Sequence, residues 1–310
     1  MVNTFDLSKY YETNAAVRDV DLYVSQGEIC GLIGPNGAGK TTLLKMLAGL
    51  LRPTSGKIEV DGIEVGAEPK RLHEMVGYVP DTFGLYDELT VWQFLEYFAR
   101  AHRVASDKVG KRIASVLELT NLASKIQATV GSLSRGMRQR LVIAKTLLHA
   151  PRVLLLDEPA SGLDPLARME LRDLIKELGR LGTTLIVSSH ILTELADFCT
   201  SVVIMEQGHV IRSGRIDELI EAIRGGLAVR IELMDEGAVG ALLAALENRD
   251  ELKNISVNRL TIDCTFDGDR ASLARLHREV VLAHTGVVSF YERRFTIEDV
   301  FMAVGSHKVS

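Results

Sequence analysis

The stretch that decides the fold is Gly34-Pro35-Asn36-Gly37-Ala38-Gly39-Lys40-Thr41-Thr42. It fits the pattern G-x-x-x-x-G-K-[ST], and it lies between an apolar run, Glu28–Ile33, and a helical pattern, Lys40–Leu50. Glycines let the backbone wrap around a phosphate, and the positive end of the following helix strengthens the site. Lys40 supplies a full positive charge to the β- and γ-phosphates, and the Thr41 hydroxyl is a ligand for Mg²⁺. The stretch therefore predicts a nucleoside-triphosphate site.

Two adjacent acids follow a second apolar run, Val153–Leu156. In a doubly wound sheet, ligands bind beyond the carboxyl ends of the strands, so Asp157 is expected at the level of the phosphate loop. Its predicted role is to hold Mg²⁺, directly or through water. Glu158 is predicted to polarise a water in line with the γ-phosphate. A solvated acidic turn is the alternative, and the nearby phosphate loop favours the metal site over it.

The first 224 residues alternate between strand-like and helix-like segments, which predicts an α/β fold with a parallel sheet covered on both faces. Asp61-Gly62 predicts a two-residue hairpin, so the sheet is expected to be mixed. Thr90 and Gln93 have the spacing of a capping box, and residues from about 85 to 130 are predicted to form a helical insertion.

A junction is predicted at Arg224-Gly225-Gly226, which divides the chain into domains 1–224 and 225–310. Beyond it the patterns predict a small α+β domain of β–α–β–β–α–β order, which is ferredoxin-like. The predicted segments are Ala228–Leu233 (strand), Gly237–Glu247 (helix), about 254–266 (two strands), Arg270–Ala283 (helix), Val287–Tyr291 (strand) and Ile297–Val304 (final helix).

Composition sets limits on the class of protein. The chain has 310 residues, of which 46% are hydrophobic and 25% charged, which supports a large core and excludes a collagen-like or wholly disordered chain. The formal net charge of −5 gives no electrostatic argument for nucleic acid. Three widely spaced cysteines, Cys30, Cys199 and Cys264, indicate reduced thiols. The longest stretch without Asp, Glu, Lys or Arg has 13 residues, whereas a membrane-spanning helix needs about 20 apolar residues.

Further motifs lie in order around the two sites. They are Tyr11, Val76-Gly77-Tyr78-Val79-Pro80-Asp81, Leu133-Ser134-Arg135-Gly136-Met137-Arg138-Gln139-Arg140, Ser161-Gly162-Leu163-Asp164 and Ser188-Ser189-His190. Together with the phosphate loop and the acidic pair, this order resembles that of the ABC ATPases over residues 11–190. The resemblance implies a P-loop NTPase fold, ATP with Mg²⁺ as cofactors, and ATP hydrolysis.

The resemblance also implies roles for individual residues. Tyr11 falls where the family has the aromatic that stacks on adenine. Ser134 and Gly136 belong to the signature motif, which faces the γ-phosphate held by a second copy of the chain. Asp164 lies at the interface of that dimer, and His190 contacts the γ-phosphate and the attacking water. From the residues alone, Ser134 and Asp164 are also expected to cap the helices that follow them.

Three positions depart from the family pattern. The signature motif has Arg135 and Met137 where the family commonly has Gly and Gln. Asp81 stands where the family has the glutamine that senses the γ-phosphate. A carboxylate there is shorter and charged, and it is a candidate ligand for Mg²⁺ or water together with Thr41 and Asp157.

Three kinds of ABC ATPase lack membrane helices of their own. The translation-associated kind carries two cassettes in one chain, and the chromosome-maintenance kind separates its motifs by long coiled coils. This chain has one phosphate loop, and Lys40 and Leu133 are only 93 positions apart, which favours a transporter subunit. The run Asp81–Leu95, the run Ser134–Arg140 and Thr296–Phe301 resemble the type-two exporter branch.

The expected assembly is two copies of the chain, peripheral on the cytoplasmic face of the cell membrane, with separately encoded integral membrane permease subunits. Residues around Phe83–Phe98, such as Leu85 and Tyr86, are expected to dock those subunits, and a place in the core is the alternative for these apolar side chains. The sequence of this chain does not identify the transported substrate, because the substrate pathway belongs to the permease. The alternative function is a regulatory or interaction protein that binds ATP without transport.

Overall fold

The computed structural model describes residues 1–223, 226–247, 249–283, 286–296 and 299–300. The chain divides into two compact units, Met1–Arg215 and Ile216–Ser310. The boundary after Arg215 lies before the predicted junction at residues 224–226, so the helix Ile216–Ile223 groups with the second unit. The domain ranges themselves stay predictions. Within the described residues, no helix combines the length and the apolar character that crossing a bilayer requires.

The first unit carries the phosphate loop. Its elements are β1 (Val2–Tyr11), β2 (Asn14–Val24), β3 (Ile29–Ile33), α1 (Lys40–Leu47), β4 (Ser55–Val60), β5 (Ile63–Glu64), α2 (Pro69–Met75), β6 (Val76–Val79), α3 (Val91–Ala101), α4 (Val109–Leu119), α5 (Arg135–Leu147), β7 (Val153–Leu156), α6 (Pro165–Arg180), β8 (Thr184–Ser189), α7 (Leu192–Ala196), β9 (Ser201–Glu206) and β10 (His209–Arg215).

The described strands of this unit form two sheets. The central one has the order β10-β9-β3-β8-β7-β6, and all its neighbouring pairs are parallel except β10 with β9. Every residue of β3, β7 and β8 is buried, as a sheet covered on both faces requires. The second sheet, β2-β1-β4-β5, is antiparallel and contains the predicted hairpin, with Val60 opposite Ile63. The predicted mixed α/β architecture is confirmed.

One apolar core joins the two sheets through helix α1. Leu7 and Val17 of the antiparallel sheet, Leu43 and Leu44 of α1, and Leu32 of the central sheet belong to the same cluster of fully or nearly fully buried side chains. The helix that follows the phosphate loop is therefore packed from two sides, which holds the loop in place.

The helical insertion consists of α3 and α4. Helix α3 begins with the predicted capping box: Thr90 Oγ1 accepts a hydrogen bond from the Gln93 N–H at 3.2 Å, and the Thr90 N–H donates to Gln93 Oε1 at 2.9 Å. Phe94 and Leu95 of α3 and Ile113 of α4 are buried between the helices and the rest of the unit.

The second unit contains α8 (Ile216–Ile223), β11 (Leu227–Leu233), α9 (Glu236–Leu246), β12 (Leu252–Asn258), β13 (Thr261–Phe266), α10 (Arg270–Ala283) and β14 (Val287–Arg293). Its described strands form an antiparallel sheet of order β12-β13-β11-β14 around a separate core. The predicted β–α–β–β–α–β order agrees with this succession, and assignment to the ferredoxin-like class stays a prediction. Of the predicted final helix, only Asp299 and Val300 lie within the described residues.

Candidate nucleotide site

Four neighbouring parallel strands end at the same edge of the central sheet. Register pairs Val79 with Leu156 and Leu156 with Val187 across β6, β7 and β8, and Ile33 of β3 with Ser189 of β8. The segments that leave these strands carry the predicted site residues: the phosphate loop after β3, Asp81 after β6, Asp157 and Glu158 after β7, and His190 after β8. This is the position at which doubly wound sheets bind ligands.

The phosphate loop follows a path that requires glycine. Gly37 and Gly39 have φ values of 82° and 102°, in the left-handed region. A Cβ on Gly39 would lie 2.2 Å from the carbonyl oxygen of Ala16, and one on Gly34 would lie 2.3 Å from that of Met205. The loop is therefore held closely between the backbones of β2 and β9, and side chains at these two positions do not fit.

Lys40 is the first residue of α1 and is 6% exposed. Its Nζ donates to the carbonyl oxygens of Gly34 at 2.7 Å and Pro35 at 3.2 Å, and it lies 3.1 Å from Glu158 Oε1. The ammonium group is thus held inside the curve of the loop, next to the N-terminus of α1. A buried ammonium beside a helix N-terminus is a strong site for an anion.

Asp157 is at the centre of a hydrogen-bond network and is 1% exposed. Its Oδ1 accepts from Thr41 Oγ1 at 3.1 Å and from Ser188 Oγ at 2.8 Å, and its Oδ2 accepts from the Tyr78 hydroxyl at 3.2 Å. Burial raises the pKa of the Tyr78 phenol, and the Asp157 charge raises it further, so the phenol stays a donor at neutral pH. Three hydroxyl groups therefore orient one carboxylate.

The residues fit Mg²⁺. The Thr41 hydroxyl and the Asp157 carboxylate are hard oxygen donors in contact with each other, at the foot of the phosphate loop. Within the described residues, no group of three or more His, Cys, Asp and Glu side chains is placed to hold a metal ion by itself. Such a donor set suits an ion that takes its remaining ligands from phosphate and water. Asp81 is exposed and follows β6, the strand beside β7.

Glu158 links the loop to His190. Its Oε2 lies 2.8 Å from His190 Nδ1, and its N–H donates to Ser188 Oγ at 2.8 Å. Glu158 has a φ of 46°, which directs its side chain differently from that of Asp157. The carboxylate is 15% exposed and the imidazole 41% exposed, so both are reachable from solvent.

The signature motif forms the start of α5. Ser134 is the N-cap, and its Oγ accepts from the Met137 N–H at 3.3 Å, as predicted. Gly136 is packed against α6 so closely that a Cβ on it would lie 2.5 Å from Ala167 Cβ. Asp164 is the N-cap of α6 and accepts from the Ala167 N–H at 2.9 Å. The contact of Gly136 with Ala167 thus joins α5 with α6.

Tyr11 is the last residue of β1, and its side chain is 48% exposed. It pairs with Asn14 at the start of β2, and two residues further along β2 Ala16 contacts Gly39 of the phosphate loop. The exposed ring therefore stands at the end of the antiparallel sheet that adjoins the loop. Its role toward adenine stays a prediction.

Tyr78 and Ser188 lie within two of the sequence motifs, but no role was predicted for either residue. Both bond to Asp157, and Ser188 also holds the N–H of Glu158. The signal for Ser188 was its position directly after the apolar run Leu185–Val187 of β8, because a buried hydroxyl needs a hydrogen-bond partner.

A buried lysine in a glycine-rich loop, a threonine hydroxyl on a buried aspartate, and a glutamate beside a histidine meet at the ends of parallel strands. That combination defines the P-loop class of nucleoside-triphosphate-binding proteins.

Comparisons with known proteins identify the family within this class. A family model described as ABC transporter matches residues 17–161. The daunorubicin resistance ATP-binding protein DrrA3 of Streptomyces coeruleorubidus is 35% identical over 95% of this chain and 92% of its own length. The Nod factor export ATP-binding protein I of Rhizobium etli is 33% identical over 96% and 90%. A dimeric ATP-binding cassette in a post-hydrolysis state, bound to ADP and Pi, matches with a TM-score of 0.63 and 27% identity over 69% of this chain and 98% of its own. The chain belongs to the ABC transporter family, as one of its ATP-binding proteins, which confirms the resemblance.

Proposed function

We propose that two copies of this chain bind ATP between them, hydrolyse it, and thereby power export through separately encoded membrane subunits. The observation that carries the proposal is the contact network at the sheet edge, in which Lys40 and His190 both contact Glu158 and Thr41 contacts Asp157. Groups that bind phosphate and groups that activate water are thus within one hydrogen-bond length of each other.

The triphosphate is bound by the phosphate loop. Backbone N–H groups of the loop and of the first turn of α1 donate to the phosphate oxygens, and Lys40 neutralises the β- and γ-phosphates. Thr41 and Asp157 hold Mg²⁺, with Asp81 as a further candidate ligand. Mg²⁺ held by these residues would withdraw negative charge from the phosphates. Tyr11, exposed beside the loop, stacks on the adenine.

Hydrolysis requires a base and a group that senses the γ-phosphate. The Glu158 carboxylate accepts a proton from the water that attacks the γ-phosphorus, while the bond to the bridging oxygen of ADP breaks. His190, 2.8 Å from Glu158, holds that carboxylate and contacts the γ-phosphate. Ser188 fixes Glu158 and Asp157 relative to each other, because it bonds to both.

The second copy completes each site. Ser134, Gly136 and Asp164 lie at the starts of α5 and α6, and both Ser134 and Asp164 are exposed. The N-terminus of α5 is a ready anion site for the γ-phosphate of the opposing copy. The similar solved structure, a dimeric ATP-binding cassette bound to ADP and Pi, supports a dimer of this chain. ATP therefore favours the closed dimer and hydrolysis the open one, and the difference in affinity does the work.

The membrane subunits bind at the helical insertion. Tyr86 and Tyr97 are 55% and 56% exposed and pack edge-on against each other at a centroid distance of 6.1 Å. Phe83 and Leu85, in the segment before α3, are partly buried. An exposed aromatic patch of this kind suits the short helices of a membrane partner. Export is supported by the names of the relatives, which include resistance and export proteins. As the ATP-binding subunit of such a transporter, the chain is proposed to lie at the cytoplasmic face of the membrane.

The function is tested with two variants. Glu158→Gln should keep ATP binding and accumulate a closed dimer in the presence of ATP, measured by size-exclusion chromatography with light scattering. Lys40→Ala should lose ATP binding, measured by calorimetry, and form no such dimer. Hydrolysis by Glu158→Gln at the unmodified rate would refute the catalytic role, and unchanged ATP affinity in Lys40→Ala would refute the role of the loop.

The protein that the chain binds distinguishes a transport function from a regulatory one. A transporter subunit should co-purify with a protein of several membrane-spanning helices, and Tyr97→Glu should reduce that association without changing ATP affinity. If the chain hydrolyses ATP but such a protein is never recovered with it, the alternative function as a non-transport regulatory protein is favoured.

A further inference from the structure

Arg135, at a signature position where the family commonly has glycine, lies against the turn that precedes α6. Its Nη2 donates to the carbonyl oxygen of Ser161 at 3.0 Å. The atoms Cζ, Nη1 and Nη2 lie 2.5, 2.6 and 2.6 Å from the place that a Cβ on Gly162 would occupy. Three nearly equal distances indicate that the flat face of the guanidinium packs on Gly162. A side chain at position 162 would displace it.

This contact connects two functional segments. The Ser161 N–H donates to the carbonyl oxygen of Glu158 at 3.1 Å, so Ser161 belongs to the turn that begins at the hydrolytic glutamate. Arg135 directly follows Ser134, the N-cap of α5. In the proposed dimer, Glu158 acts on the ATP held by its own phosphate loop, and Ser134 contacts the ATP held by the partner copy. One side chain therefore bridges the elements that serve two different nucleotides.

The contact of Arg135 with Ser161 and Gly162 positions the start of α5 more than it stabilises the fold. Arg135 and Gly162 are both exposed, and an exposed hydrogen bond from an arginine contributes little to folding. The neighbouring contact is tight, because Gly136 packs against Ala167 with no room for a side chain. Together the two contacts hold the start of α5 at a set position relative to residues 161–167.

We propose that Arg135 is a positioning residue that couples the two ATP sites of the dimer, by tying the position of Ser134 to that of the turn after Glu158. The proposal rests on the proposed function, since it needs a dimer that hydrolyses two ATP molecules. A movement of the turn during hydrolysis at one site then shifts the serine that contacts the other nucleotide. Coupling of this kind is measured as cooperativity between the sites.

The first experiment compares ATP hydrolysis at increasing ATP concentration for the unmodified chain, Arg135→Ala and Arg138→Ala. Arg138 is the matched control: it lies in the same helical turn, but it donates to Gly131 and Leu133 and pairs with Asp87. The unmodified chain should show a Hill coefficient near the limit of about 2 that two sites allow. Arg135→Ala should lower it to about 1 with kcat changed less than about threefold.

A purely structural role for Arg135 would lower the melting temperature and kcat but leave the Hill coefficient unchanged. The proposal is overturned if Arg135→Ala retains the unmodified Hill coefficient, or if Arg138→Ala loses cooperativity to the same extent. It is also overturned if the unmodified chain hydrolyses ATP without cooperativity. An unmodified chain that neither hydrolyses ATP nor forms an ATP-dependent dimer refutes the proposed function itself.

The second experiment displaces the guanidinium without removing its charge. Gly162→Ala places a methyl group 2.5 Å from Arg135 Cζ, so it should abolish cooperativity as Arg135→Ala does. In the Arg135→Ala background the same substitution should cause no further loss, because no guanidinium remains to be displaced. The backbone strain of alanine at a φ of 65° is present in both backgrounds and cancels in the comparison. Cooperativity retained by Gly162→Ala would show that only the charge at position 135 matters and would overturn the proposal.

Discussion

Replacing Ser188 with alanine removes one hydroxyl from the centre of the site. The side chain is 0% exposed, its Oγ donates to Asp157 Oδ1 at 2.8 Å, and it accepts from the Glu158 N–H at 2.8 Å. Asp157 keeps its bonds to Thr41 and Tyr78, whereas the N–H of Glu158 loses its bond to this hydroxyl. We expect a loss of about 2–4 kcal/mol in the free energy of unfolding, most of it from the stranded N–H.

The same substitution should slow hydrolysis. Ser188 sets the relative positions of Asp157, the proposed Mg²⁺ ligand, and Glu158, the proposed base. If weaker placement costs about 1.4 kcal/mol in the transition state, kcat falls about tenfold. The assay is phosphate release at saturating ATP, at a temperature where the variant is fully folded. Unfolding in urea is followed by the fluorescence of Trp92, the single tryptophan, which lies in the first unit.

Thr4→Val is the matched control. Thr4 is 2% exposed, and its Oγ1 also donates one bond, to the Val20 carbonyl oxygen at 2.8 Å, and accepts one, from the Leu22 N–H at 2.9 Å. It lies in the antiparallel sheet, and the partners of both bonds belong to β2. A comparable loss of stability with unchanged kcat is expected. If Ser188→Ala retains full kcat, or Thr4→Val loses as much, the positioning argument is wrong.

Two further predictions concern the loop and the acid range. Gly39→Ala should destabilise the first unit by at least about 2 kcal/mol, because Gly39 has a φ of 102° and its Cβ would approach the Ala16 carbonyl oxygen. Gly37→Ala has open space around its Cβ position and should show only the backbone strain of about 1–2 kcal/mol. Equal urea midpoints of the two variants would contradict the close approach at Gly39. Burial, together with the charges of His102 and Arg112, lowers the pKa of His149 from 6.5 to about 4. The unfolded chain therefore takes up a proton that the folded chain does not, and stability should fall as pH drops from about 6.5 to about 4. His149→Phe should therefore reduce the decrease in melting temperature between pH about 6.5 and about 4. If the melting temperature of the variant falls as steeply with pH as that of the unmodified chain, other titrating groups cause the decrease.

Features that depend on neighbours in the chain were predictable. The capping box of Thr90, the caps formed by Ser134 and Asp164, and the hairpin at Asp61-Gly62 all use contacts within three residues. Local geometry at such short range is set by the residues themselves, so the sequence predicted it correctly.

Features that depend on distant pairing were missed. Strands β1 and β2 were not recognised, because register shifts interrupt their pairing and Asp6 and Asp19 within them have positive φ values. A strand with such irregularities does not keep the strict alternation of apolar and polar residues that identifies strands in a sequence.

The order of motifs along the chain determined by itself the class of this protein. It also predicted the residues of the phosphate site, because glycine spacing and a following helix are local requirements of an anion site. Only the tertiary structure decided how those residues are held. Tyr78 and Ser188 reach Asp157 across 79 and 31 positions of sequence, and Arg135 reaches Ser161 across 26. Such partners come together through the pairing of β6, β7 and β8 and the packing of α5 on α6. Strand order and helix packing depend on burial of the whole core, so residues far apart in sequence determine them together.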